Sequence, residues 1–251
     1  MNKIIIIILS LIVSACSAGK NVKQSVIHKP KEKIITNISG KGPNILLKLY
    51  QGTSFKYPLL AVWLEDTTGK YIQTLYVSKS VATRVFTYAI QENNKWIIAP
   101  ARATKSLPYW AHKKNVIPSD DLYLPDDQSA VPDAYTGATP KAGFTLTTRA
   151  DNPLPGKFKV MMEINQKWDR NEYWNFTKYP GDEFYKMSCQ PALVYEAIVE
   201  TGSPKKFYPM KLIGHSHYSG NTDELFTDLS TLTTALHIAD SVIVRIKSRK
   251  L

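Results

Sequence analysis

Midway along the chain, Asp133-Ala134-Tyr135-Thr136-Gly137-Ala138-Thr139 puts a carboxylate, two threonine hydroxyls and a glycine into one short stretch, with Pro140 directly after it. A residue that precedes proline is pushed out of the helical region, so Thr139 is expected in extended backbone, its hydroxyl on an exposed loop. Gly137 can adopt a positive φ and lets backbone amides approach a phosphate. Ala138 leaves room for a second protein to close over the loop. Asp133 can order the loop through a side-chain to backbone hydrogen bond. Thr139 alone is a weak nucleophile and needs a base from elsewhere. Together these residues offer an accessible hydroxyl beside phosphate-compatible backbone. The plain alternative is an Asp/Thr/Gly turn between two strands.

Three other groups of residues have chemical potential. His215 and His217 sit two apart, which on a strand puts both imidazoles on one face, and His112 or His237 can complete a metal site with them. Surface histidines in a Gly-Ser-Asn loop are the simpler account. Asp120, Asp121, Asp126 and Asp127 lack the alternating oxygen ligands and glycine of a calcium loop, which favours a solvated turn. The segment 166–190 carries Trp168, Tyr173, Trp174, Phe176, Tyr179, Phe184 and Tyr185. It is either a satellite core under a long loop or a stacking platform for a ring. No nucleophile elbow, hydrolase metal motif or phosphate-binding glycine loop is present, and Thr136-Gly137-Ala138-Thr139 lacks the Gly-Lys-Thr ending of a P-loop. An electron carrier or a binding protein is therefore favoured over a stand-alone enzyme.

The string at 133–139 resembles the flavinylation motif Asp-x-x-(Ser/Thr)-Gly-Ala-Thr of exported FMN-binding proteins. Asp133, Thr136, Gly137, Ala138 and Thr139 fill all the constrained positions. The resemblance implies that an ApbE-type FMN transferase joins the phosphate of FMN to the Thr139 hydroxyl. The transferase would supply the base, and Lys141 and Arg149 would stand near enough in sequence to offset the phosphate charge. Pro58–Asp66, Tyr71–Leu75, the Trp96–Trp110 region, Asp133–Gly143 and Gly156–Glu163 follow one another as in the predicted periplasmic proteins of domain-of-unknown-function family 2271. The strand after the motif departs from that family, reading Thr147-Thr148-Arg149-Ala150-Asp151 where the family carries a Trp-Asp pair. The two resemblances together imply covalent FMN, electron relay outside the cytoplasm and a membrane redox partner such as a PepSY-type reductase. A tether with aromatic loops equally suits a non-catalytic binding module for a glycan or a partner protein, since fold does not decide function.

The elements that must position these residues begin with an export signal. Lys3 precedes an apolar run, Ile4 to Leu9 then Leu11 to Val13, which is shorter than the roughly 20 residues a membrane-spanning helix needs. Small residues then lead to Cys16 in a Val-Ser-Ala-Cys string that resembles the lipobox of bacterial lipoproteins. Cleavage before Cys16 and lipidation of Cys16 are expected. Ser17 is not an aspartate, so by resemblance to enterobacterial sorting the periplasmic face of the outer membrane is favoured. Cys189 is the only other cysteine, so no disulfide framework holds the fold. Net charge is +11, but the basic residues are scattered and no nucleic-acid module is legible, which argues against nucleic acid as a partner. Residues 1–15 read as a lipoprotein signal peptide and 16–43 as a lysine-rich flexible linker beside a membrane. Residues 44–251 read as one β-sandwich domain, Ig-like or jelly-roll-like, with one or two short helices and long loops. Strand-like runs are Asn44–Tyr50, Leu59–Glu65, Tyr71–Val77, Arg84–Ile90, Trp96–Ala99, Phe144–Thr148, Lys157–Ile164, Ala192–Glu200, Lys206–Ile213 and Ser241–Ile246. The spacing predicts a helix over Ala101–Lys113 and a helical turn near Leu229–His237.

Overall fold

The computed structural model describes residues 29–82, 86–92, 95–101, 106–115, 136–203 and 207–247, with the backbone alone given for 86–92 and 95–101. It is a β-sandwich, as its alternating apolar runs predict. The first sheet has the order β1 (Glu32–Ile35), β8 (Phe144–Arg149), β2 (Asn44–Gln51), β14 (Ala239–Lys247), β11 (Tyr208–Pro209). The second has the order β13 (Leu225–Phe226), β12 (Lys211–Ser216), β10 (Leu193–Glu200), β9 (Lys157–Asn165), β3 (Leu59–Glu65), β4 (Tyr71–Ser78), β7 (Thr136–Gly137). The strands β5 (Phe86–Glu92) and β6 (Lys95–Ala101) pair with each other as a hairpin. Neighbours run antiparallel except β1 with β8 and β4 with β7, which run parallel. All four outer strands of the two main sheets are short.

Period-two alternation drives the packing. Ile45, Leu47 and Leu49 of β2, Phe144 and Leu146 of β8, and Val242 and Val244 of β14 point inward. They meet Leu60, Val62 and Leu64 of β3, Val160, Met162 and Ile164 of β9, and Leu193 and Val199 of β10. The turn from β3 to β4 is fixed by Asp66, whose Oδ1 accepts from the amides of Thr68 (2.8 Å) and Lys70 (3.0 Å), with Gly69 at φ +88°.

The middle of the seven-stranded sheet, around β3, is buried on both faces. Over its outer face lie α1 (Lys79–Ala82) and α2 (Pro108–Lys114), where Leu107, Trp110 and Ala111 pack on Ala61, Trp63, Met161 and Val194. This cover explains why all of β3 is apolar or sealed rather than alternating. Helix α2 has no side-chain cap of its own, since its N-cap residue is Leu107 and Pro108 stands at its start. The cap comes from β9. The fully buried Glu163 carboxyl group accepts from the amides of Trp110 (2.8 Å) and Tyr109 (3.2 Å). The Trp110 indole donates to Thr74 Oγ1 at 2.9 Å.

The structure corrects several expectations. The segment assigned to the linker contributes β1, whose Ile34 packs on the core and whose partner is β8 in register Glu32↔Phe144 to Ile35↔Thr147. The amides of Lys31 and Glu32 both donate to Gly143 O, and Thr36 Oγ1 donates to Leu75 O, joining the two sheets. The helix expected from Ala101 begins only at Pro108, because Pro lacks the amide a helix interior uses and fits the first turn instead. Lys206–Ile213 is not one strand: β11 pairs with β14 in the first sheet and β12 with β10 in the second. The helical turn near Leu229–His237 is a 3₁₀ turn at Thr234–His237.

Burial pushes the Glu163 carboxyl up to about 8 from its ordinary 4.5. Between those values the folded chain holds a proton that the unfolded chain has lost, so stability falls as pH rises through that window. The expected loss from pH 5 to pH 8 is roughly 3 kcal/mol. Thermal or urea melts across that range should show it, and Glu163→Gln should flatten the profile. A parent profile already flat there would refute the assignment.

Candidate functional site

The flavinylation-like string ends on the outermost strand of the seven-stranded sheet. Strand β7 pairs in parallel with the end of β4, Val77 beside Thr136 and Ser78 beside Gly137. Gly137 lies flat on the Tyr76 ring, and a Cβ there would sit 2.6 Å from Tyr76 Cε2, so a side chain does not fit. The Tyr76 hydroxyl donates to Ala138 O at 2.7 Å. Burial pushes this phenol well above its ordinary range, which keeps it a neutral donor. Pro140 is buried, and the Lys141 amide donates to Glu32 Oε1 at 2.7 Å. The loop is thus fastened on both sides of Thr139. Between the fastenings Thr136 and Ala138 are exposed and Thr139 is half-buried. Its hydroxyl makes no hydrogen bond among the described residues, unlike a threonine whose role is to tie off a strand carbonyl. Asp133, Ala134, Tyr135 and Cys16 lie outside the described residues, as do Asp120, Asp121, Asp126 and Asp127.

The groups expected beside Thr139 are only partly there. Lys141 is exposed next to it. Arg149 is at the other end of β8, about 17 Å along the strand, and its guanidinium donates to Gly42 O at 3.0 and 3.3 Å. Of the aromatic residues that could shelter a flavin ring at Thr139, Trp110 is sealed under α2 and offers no open ring face. The Trp168–Trp174 segment gathers elsewhere. The Trp174 indole donates to Thr231 Oγ1 at 3.1 Å and its ring lies 6.2 Å from Tyr218, just past β12. Strand β12 is five positions from β7, roughly 24 Å along the sheet.

There a second feature forms. Tyr173, Trp174, His215, His217, Tyr218 and Phe226 line a cleft of about 500 Å³, with Thr227, Asp228 and Thr231 at its edge. The core reading of the aromatic segment holds for part of it, and other rings stay open to solvent. Trp174 and Tyr185 are core, whereas Tyr173 and Trp168 are more than half exposed. Tyr179 and Tyr218 stack at 3.9 Å, and the Lys178 ammonium sits 3.1 Å from the centre of the Tyr173 ring. His215 and His217 share a face of β12 and its extension, as their spacing predicts. Both ring nitrogens of His215 are within hydrogen-bond reach of carbonyl oxygens, those of Ser216 (2.8 Å) and Asp228 (3.2 Å), and His217 Nδ1 is 2.6 Å from Ser219 Oγ. His112 Nε2 is 2.9 Å from Gly220 O. Among the described residues no group of three or more metal-ligand side chains converges. Burial pushes the Cys189 thiol up to about 11, so it is not a ready nucleophile.

Compared with known protein families, curated proteins and solved structures, the chain matches none. The likeness to exported FMN-binding proteins therefore rests on the residues quoted for it.

Sequence reasoning missed Tyr76, Tyr218 and Phe226. Tyr76 looks like any inward strand aromatic, and only pairing with β7 reveals it as the bed for Gly137. Gly137→Val should destabilise the protein by about 1–3 kcal/mol by forcing Tyr76 aside. Tyr76→Phe should cost about 1 kcal/mol and speed amide exchange at 136–139. Urea melts and hydrogen exchange read both; a neutral Gly137→Val would show that β7 does not rest on the ring.

Proposed function

We propose that this chain is an exported lipoprotein that carries FMN esterified to Thr139 and relays electrons outside the cytoplasm. The observation that carries the reading is the Thr139 hydroxyl. It sits at a sheet edge, free of hydrogen bonds among the described residues, in a loop held open between Tyr76 and Glu32. A separate folded enzyme needs that access. The chain's residues fit the attachment: Thr139 gives the oxygen, exposed Ala138 leaves room above the loop, and exposed Lys141 stands beside the phosphate position.

In the attachment step Thr139 Oγ displaces AMP from FAD at the flavin-side phosphorus. One P–O bond of the pyrophosphate breaks, one P–O bond to Thr139 forms, and the hydroxyl proton passes to a base on an ApbE-type transferase. FMN then supplies the redox chemistry, with a PepSY-type reductase as the class of membrane partner. Lipid on Cys16 keeps the carrier at the membrane, with the periplasmic face of the outer membrane favoured.

Co-expression with such a transferase should add the mass of one FMN, less water, and give a fluorescent band on a denaturing gel. Thr139→Ala should abolish both. A wild-type mass without the adduct, or fluorescence that survives Thr139→Ala, would sink the proposal.

The cleft favours a second reading, non-covalent binding of a sugar or other ring-faced ligand against Tyr173. Titration with cellohexaose, maltohexaose and chitohexaose should then quench tryptophan fluorescence, with at least a tenfold loss of affinity in Tyr173→Ala. Trp174→Ala is a poor probe, because Trp174 is core. No quenching with any of the three would set this reading aside.

A further inference from the structure

The five-stranded sheet has one face on the core and one that no described element covers. Alternation decides what that open face presents. In one cross-strand row stand Lys33, Thr145, Lys48 and Ile243; in the next Ile35, Thr147, Leu46 and Arg245; in the third Arg149, Asn44 and Lys247. These rows hold five cations and no carboxylate, and none of the five is in an ion pair among the described residues. Like charges so close repel one another, so a fold that keeps them together gains most when an anionic surface neutralises them.

The face is also not flat. Where the face meets the end of the sandwich, Lys41, Arg149 and Lys247 rim a depression of about 300 Å³ that reaches Leu154, Thr201 and the inward-facing Ile246. A smaller one, about 60 Å³, lies among Lys48, Arg245, Tyr50 and Phe207. Arg245 sits over the Phe207 ring at 5.4 Å, and Phe207 is half exposed. Cations around shallow apolar hollows match the chemistry of phospholipid headgroups, a phosphate above an acyl-chain boundary.

We propose that the open face of the five-stranded sheet docks on an anionic phospholipid surface, with Lys33, Lys48 and Arg245 against the headgroup phosphates. The charge argument stands without any anchor. The orientation rests on the lipidation of Cys16 proposed above. Cys16 lies 16 residues before Glu32, so the tether spans at most about 55 Å and enters this sheet at β1, its edge. With this face on the bilayer, the loop carrying Thr139 lies at the side of the domain and faces along the membrane, where a membrane reductase can meet it.

The test uses the mature chain from residue 16 with Cys16→Ser, so that no lipid contributes. It is titrated with vesicles of phosphatidylcholine alone and of phosphatidylcholine with phosphatidylglycerol. Binding is expected only to the anionic vesicles. It should weaken about fivefold or more for each of Lys33→Glu, Lys48→Glu and Arg245→Glu. Lys211→Glu, on the other sheet, should leave it unchanged, and circular dichroism should show every variant folded. Equal binding to both vesicles, or folded variants that bind like the parent, would overturn the proposal. So would release by inorganic phosphate at an ionic strength where chloride has no effect, which would mark a free-anion site. Retention on polyglutamate at salt that strips the vesicles would assign the face to an acidic protein instead. A cellular protein that lacks lipid on Cys16 would overturn the anchor while leaving the vesicle result standing.

Discussion

One carboxyl group, sealed where the seven-stranded sheet meets its helical cover, holds the arrangement together. Glu163 sits in register between Ala61 and Val194 and meets two amides that α2 cannot satisfy by itself. Seven residues are too few for a helix to persist on propensity alone, so α2 depends on that capture and on its packing. Once held, α2 closes the outer face over Trp63 and Met161, and β3 can carry Ala61 and Trp63 on its outer side as well as Leu60, Val62 and Leu64 on its inner one. With that face closed, β4 turns Tyr76 into the sandwich, and Tyr76 becomes the bed on which Gly137 rests. The loop at Thr139 is thus linked to Glu163 through three neighbouring strands.

The strands with clean alternation could be read directly. β2 and β8 show it residue by residue, and the Asp66 turn announces the β3–β4 hairpin. What escaped was set by contacts distant in sequence. Nothing near Leu107 shows that its helix is capped from Glu163, more than fifty residues away. Lysines hid β1, because a four-residue edge strand needs only Ile34 to reach the core. The run through Met210 reads as continuous, yet the chain crosses there from one sheet to the other. At the candidate site, spacing alone put the two histidines of β12 on one face. It could not bring them against Tyr173, from a loop, and Phe226, from β13.

Three surfaces of distinct chemistry are thereby held apart. The Thr139 loop is at one edge of the larger sheet, and the aromatic cleft is near the other edge. The cationic face belongs to the smaller sheet. The rigid core between them lets each meet its own neighbour without displacing the others.

The outer strands also bear on how this domain survives crowding. Each edge of the two main sheets ends in a strand of four residues or two: β1, β11, β13 and β7. A long bare edge would expose a row of backbone donors and acceptors, on which a neighbouring copy could add a strand. Among the described residues each outermost strand is itself too brief to template one, and Pro209 removes a donor from β11 altogether. Such short outermost strands work against strand addition where many copies are concentrated side by side on a surface.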